Sequence, residues 1–162
     1  MILEHKDILP DQTGHEAGRL LLDEMYRRHM GGAMPPIEVM PRGKPYFSNG
    51  SCHFSITHTK HHVFCVLSDK PVGIDAEELN RDIRLALAEK ILSDFEKQQF
   101  DRAEDPRLAL LTFWVLKEAA AKRTGEGLRG YPEKGTFRLD DPRVTQMHNC
   151  LVAVIEEDDY VI

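Results

Sequence analysis

Apolar residues recur at helical spacing early in the chain: Ala17, Leu20, Leu21, Met25 and Tyr26 share one side of a helix predicted from Gly14 to Met30, which Gly31-Gly32 then stops. Pro35, Pro36, Pro41 and Pro45 interrupt the next stretch, leaving a short extended run at Ile37 to Met40. Val63 to Leu67 is apolar and β-rich, and Ser68-Asp69-Lys70-Pro71 turns it into Val72 to Glu77, so the pair reads as a hairpin. In the second of these strands Val72, Ile74 and Ala76 point one way and Gly73, Asp75 and Glu77 the other.

The second half is more helical. A short helix is predicted from Arg84 to Leu92, and Ser93-Asp94-Phe95-Glu96 has the form of a capping box opening another that ends near Phe100. Pro106 opens the strongest helix, rich in Leu and Ala through Lys122, with Gly125 where a C-terminal cap belongs. Gly135 to Leu139 and Cys150 to Ile155 read as two closing strands. No repeat or low-complexity linker divides the chain, so the expectation is one α+β domain over 1–162, with approximate halves 1–70 and 71–162.

Composition narrows the function classes. A net charge of -6 argues against broad nucleic-acid binding while allowing a local basic pocket. The apolar runs Leu108 to Leu116 and Cys150 to Ile155 fall short of the roughly 20 residues that span a bilayer, and the first residues lack a signal-peptide apolar region, so a cytoplasmic protein is expected. Cys52, Cys65 and Cys150 are odd in number and widely spaced, which favours reduced thiols over a disulfide framework.

Three clusters carry candidate chemistry, each with a plainer reading beside it. Asp75 and Glu77 on one strand face are hard oxygen ligands suited to magnesium, or a solvated polar edge beside Glu78. Glu118 and Lys122 lie four apart on a helix apolar nearly all round, where buried charges demand partners, or they form an ordinary ion pair. Phe54-Ser55-Ile56-Thr57-His58-Thr59 sets hydroxyls around a histidine, able to donate to phosphate oxygens or to cap local structure. His53, His61 and His62 make a transition-metal site conceivable, although their spacing matches no strong ligand pattern.

In order along the chain, Gly43-Lys44-Pro45, Phe54-Ser55-Ile56-Thr57-His58-Thr59, Gly73-Ile74-Asp75-Ala76-Glu77, and Phe113-Trp114 with Lys117-Glu118-Ala119 and Lys122 resemble the 4'-phosphopantetheinyl transferase superfamily. Within it the motifs most resemble the surfactin-synthetase-activating branch, which serves peptide and polyketide synthetases. Ser55 and Thr57 stand where that branch carries asparagine and serine.

The resemblance implies antiparallel sheets packed with a long helix, in two pseudo-twofold halves that are trimmed here or completed by a second chain. It implies a magnesium-dependent transfer of phosphopantetheine from coenzyme A to a serine of an acyl, peptidyl or aryl carrier protein. Asp75, Glu77 and Glu118 would be the magnesium ligands, and Glu118 the base for the carrier serine. Lys44, Thr57, His58 and Lys122 would contact the coenzyme A phosphates, with Lys122 also catalytic. In longer members upstream basic residues hold the adenosine 3'-phosphate; by the resemblance these are expected to lack a counterpart here, with Arg19, Arg27 or Arg28 as substitutes or as helix-surface charges. The protein is expected as monomer or homodimer. The competing expectations are a weak coenzyme A- or carrier-binding member of the fold and an acidic interaction module whose three carboxylates do not converge.

Overall fold

The structure, a computed structural model, describes residues 1–127 and 136–157. Strand β1 (Ile2–Asp7) leads into helix α1 (Gly14–Met30), followed by β2 (Ile37–Val39), β3 (Pro45–Phe47), β4 (His53–His58), β5 (His62–Ser68) and β6 (Val72–Glu78). After a 3-10 turn at Leu85–Leu87 come α2 (Ala88–Ile91), α3 (Asp94–Asp101), α4 (Pro106–Thr124), β7 (Val144–Met147) and β8 (Cys150–Glu156).

The strands form two three-stranded antiparallel sheets, ordered β1-β5-β4 and β6-β8-β7, plus the small β2-β3 pair. Alternate residues of β5 explain the layering. Val63, Cys65 and Leu67 pack with Leu21, Leu22 and Met25 of α1, while Phe64 and Val66 pack against Val72, Ile74 and Ala76 of β6 and Val152 of β8. On the far side, Leu151, Ala153 and Ile155 of β8 meet Leu111, Val115 and Ala119 of α4. Helix, sheet, sheet and helix therefore stack in turn, and the continuous apolar run of β5 reflects its burial on both faces.

Helix boundaries match the local chemistry. Thr13 and Ser93 close capping boxes with Glu16 and Glu96 at the starts of α1 and α3. Asp105 caps α4 with Pro106 behind it, and Gly125 ends α4 in the left-handed region at φ 75°.

Two sequence expectations are corrected. β5 and β6 are consecutive but do not form a hairpin: β1 and β4 occupy both edges of β5, and β6 crosses to the second sheet to pair with β8. The first closing strand is Val144–Met147, joined to β8 through His148 and Asn149 at φ 50° and 59°, the left-handed pair a tight two-residue hairpin needs. Residues 136–139 are not a strand, because the Phe137 and Leu139 N–H groups donate to the Glu96 and Gln99 side chains of α3; Gly135, the start of that expected strand, lies outside the described residues. Strands β1, β3 and β4 are additions to the elements expected from the sequence pattern.

No helix among the described residues is long and apolar enough to cross a membrane. Cys52, Cys65 and Cys150 are free thiols.

Candidate active site

Strand β6 and helix α4 build the site because Gly73 lets them touch. A Cβ at residue 73 would sit 2.0 Å from the Ala119 carbonyl oxygen and 2.4 Å from the Arg123 nitrogen, so only glycine allows this approach. The same strand face carries Asp75 and Glu77 toward α4, where Trp114, Glu118 and Lys122 occupy one stripe at intervals of four.

The two stripes engage residue by residue. Lys122 Nζ donates to Asp75 Oδ1 at 2.8 Å, and the Trp114 indole N–H donates to Glu77 Oε1 at 3.2 Å. Arg81 donates to the same Glu77 oxygen at 2.5 Å and stacks over the Trp114 ring at 5.5 Å. The expected Glu118–Lys122 face exists, but the ammonium bonds Asp75 on the strand.

Burial dominates the electrostatics, and repulsion from Asp75 comes next at Glu77 and Glu118. Burial pushes the Asp75 carboxyl above its ordinary value against the opposing pull of Lys122. Glu77 is raised by burial and then by Asp75. Glu118 is pushed up to about 7, first by burial and next by the Asp75 charge, with Lys122 opposing. Asp75 Oδ2 is buried without a hydrogen-bond partner.

Glu118 and Lys122 line a cleft of about 280 Å³ together with Arg42, Gly43, Lys44, Ser55 and Gly125. Lys44 reaches across to the end of α4, donating to the Arg123 carbonyl and, at 3.4 Å, to the Val72 carbonyl. Its pKa is held down to about 8, by burial first and then by Arg123.

The hydroxyl run has a different placement from the one expected. Ser55, Thr57 and Thr59 alternate along the chain and zip onto β6: Ser55 Oγ accepts from the Ile74 N–H at 3.1 Å and Thr57 Oγ1 from the Ala76 N–H at 3.3 Å. Thr57 also donates to Asp75 Oδ1 at 3.4 Å, and Thr59 donates to Glu78 at 2.9 Å. These side chains satisfy backbone donors on the edge of β6 that β8 does not pair. His58 points to the opposite face of β4, over Gly14 at the start of α1, and does not line the cleft.

Arg27 pairs with Asp23 on its own helix and Arg28 with Glu4 of β1. Lys117, beside Glu118 in sequence, turns into the core and pairs with Glu96 at 2.7 Å, both side chains fully buried. Sequence reading missed Arg81 and the roles of Gly73 and Trp114; the interval of four from Trp114 to Glu118 to Lys122 was the available signal for Trp114.

Magnesium, implied by the resemblance, fits this chain by its donor set. Three carboxyls carry pKa values raised by burial, Glu77 and Glu118 also by the Asp75 charge, and one buried oxygen, Asp75 Oδ2, has no protein partner; a hard cation would answer both. As placed, Asp75, Glu77 and Glu118 do not bring three ligand atoms within 4.8 Å of one another, wider than the about 4.2 Å that opposite ligands of one magnesium ion span, so at most two of them reach one ion directly and the third would act through a water.

Comparison with known proteins agrees with the motifs. The family model of the 4'-phosphopantetheinyl transferase superfamily matches residues 71–158. The 4'-phosphopantetheinyl transferase psf-1 of Bacillus pumilus is 34% identical over 136 residues, covering 78% of this chain and 58% of its own length. The 4'-phosphopantetheinyl transferase gsp of Aneurinibacillus migulanus is 32% identical over 100 residues, covering 60% of this chain and 40% of its own. A 4'-phosphopantetheinyl transferase of Bacillus subtilis is 27% identical over 106 residues, covering 64% and 47%. The chain spans about half the length of the curated relatives it matches. With the family model covering more than half of its residues, and β6 and α4 inside the match, the chain belongs to the 4'-phosphopantetheinyl transferase superfamily.

Proposed function

We infer that this chain transfers 4'-phosphopantetheine from coenzyme A to a serine of an acyl, peptidyl or aryl carrier protein in the cytoplasm, with magnesium, releasing adenosine 3',5'-bisphosphate. The observation that carries the reading is Asp75: a buried carboxylate with Lys122 on one oxygen and no partner on the other, flanked by Glu77 and Glu118.

Asp75, Glu77 and Glu118 would hold the magnesium, which when bound neutralises charge on the pyrophosphate oxygens of coenzyme A. Lys122 and Lys44 supply further positive charge along the cleft. Glu118, with a pKa near the operating pH, is suited to take the serine hydroxyl proton. A new bond joins the serine oxygen to phosphorus as the pyrophosphate bond breaks, and the leaving group carries its charge away as the nucleotide bisphosphate. Thr57 orients Asp75 and braces β6 from inside the protein, and His58 would act from outside the cleft.

The test is carrier loading. The chain incubated with coenzyme A, magnesium and a panel of apo carrier domains should add one phosphopantetheine mass to at least one carrier, and EDTA should abolish the gain. No gain on any carrier, with coenzyme A still bound, would establish the binding-only reading.

A further inference from the structure

A second cluster of ligand atoms lies on the first sheet and shares no residue with the cleft. In the β1–β5 register Asp7 lies directly opposite His62, and His5, two residues back along β1, points from the same face. His5 Nε2 is 2.9 Å from His62 Nδ1, His62 Nδ1 is 3.2 Å from Asp7 Oδ1, and His5 Nε2 is 3.5 Å from Asp7 Oδ1. These are the only three ligand atoms of separate His, Cys, Asp or Glu side chains to gather within 4.8 Å among the described residues.

The spacing is that of a coordination edge. A tetrahedral zinc ion with bonds of about 2.0–2.1 Å holds its ligand atoms about 3.3 Å apart, and the three separations here bracket that distance. Two imidazoles facing each other at hydrogen-bond distance with a carboxylate beside them share one point in space, which either a proton or a cation can occupy. Two imidazole nitrogens and one oxygen favour zinc-class divalent ions over magnesium or calcium.

The rings are already held. His148 from the β7–β8 turn stacks on His5 at 3.6 Å between centroids and 9° between planes, and the Phe64 ring lies at 5.0 Å on a tilt. Asp7 is largely exposed and the two histidine side chains are mostly covered, so the fourth position opens to solvent.

We propose that His5, Asp7 and His62 form a binding site for a zinc-class divalent transition metal that pins strand β1 to β5 under the His148 turn. The proposal is independent of the transferase reading. The histidine cluster conceivable from sequence was His53, His61 and His62, but His53 begins β4 opposite Ser68 at the far end of β5, and the partners of His62 come from β1.

The test uses the full chain and zinc alone, without coenzyme A or carrier. Calorimetric titration should show one site in the micromolar range or tighter, the unfolding midpoint should rise with zinc, and cobalt in its place should give the intense visible bands of a tetrahedral ion. His62→Gln and the exposed-site variant Asp7→Asn should each weaken binding at least about tenfold and lose the cobalt bands. Glu118→Gln should retain both signals, which separates this site from the cleft. Absence of micromolar zinc binding would overturn the proposal, and so would equal affinity in the Asp7→Asn variant, whose metal-free melting curve reports that it is folded.

Discussion

Lys122 holds one oxygen of Asp75 at 2.8 Å and leaves the other buried and unpartnered, so this pair is not a closed salt bridge. A closed buried pair would saturate both oxygens to offset desolvation. Removing the ammonium by Lys122→Ala should therefore raise the Asp75 carboxyl further and strip charge from the cleft. Coenzyme A binding, followed calorimetrically, should weaken about ten- to a hundredfold, the range of a charge-assisted hydrogen bond. Unchanged affinity and loading would reduce Lys122 to a stabilising partner of Asp75.

Glu118 has no such counter-ion as its leading influence, and burial leaves it near neutrality in its titration. Glu118→Gln keeps the shape and removes the proposed base, which is also a proposed anionic metal ligand. Carrier loading should fall at least about a hundredfold, the lower range for a general base, with an unchanged circular dichroism spectrum. Turnover near that of the parent protein would reassign the base.

Much of this site was legible because periodicity alone fixes faces. Alternation put Gly73, Asp75 and Glu77 together, and the interval of four put Glu118 and Lys122 together; the structure adds that these faces oppose each other. What could not be read was which strand each edge would choose. Ser55 and Thr57 look like ligand donors in sequence, yet their hydroxyls replace backbone pairing along β6, a need that arises only once β6 has left β5 for β8. Likewise the β1 partners of His62 lie more than fifty residues away, beyond any local pattern.

Lys117 and Glu118 are neighbours with opposite fates. Lys117 enters the core, where Glu96 accepts from it while also accepting from the Ser93 and Phe137 N–H groups. Burial pulls the Lys117 pKa down, and Glu96 pulls it back up. Lys117→Ala strands a buried carboxylate that organises the α3 start and the Phe137 segment, so unfolding free energy in urea should drop by about 3–5 kcal/mol. A loss below about 1 kcal/mol would mean that Glu96 is readily neutralised or rehydrated.

Gly73 sets the distance between β6 and α4. Gly73→Ala places a methyl against the Ala119 carbonyl and the Arg123 nitrogen, which are backbone atoms that cannot rotate away. The helix must shift, costing about 1–3 kcal/mol in stability and separating Lys122 and Trp114 from their carboxylate partners. Loading should fall by more than the stability loss alone accounts for, measured at a temperature where the variant remains folded. Normal loading would show that the strand and helix need not touch at residue 73 for the site to work.

The raised carboxyls also give stability a pH slope with a definite sign. Glu118 titrates at about 7 when folded and at its ordinary 4.5 when unfolded, so between those values the folded state binds more protons. Its contribution to stability is present below about 4.5 and is lost as pH rises through about 7. Asp75 and Glu77 are shifted the same way. Glu4, Glu78 and Asp141 are shifted down and act in the opposite sense, at the acid side of that window, while the lowered His5 also opposes the slope. Comparing the parent protein with Glu118→Gln cancels those background groups. In urea unfolding with EDTA at pH 5, 6, 7 and 8, the parent should lose stability relative to the variant as pH rises, and magnesium should shrink the difference by pairing the ionised carboxylate. A difference independent of pH would place the Glu118 carboxyl at its ordinary value and remove the basis for its role as a base near neutrality.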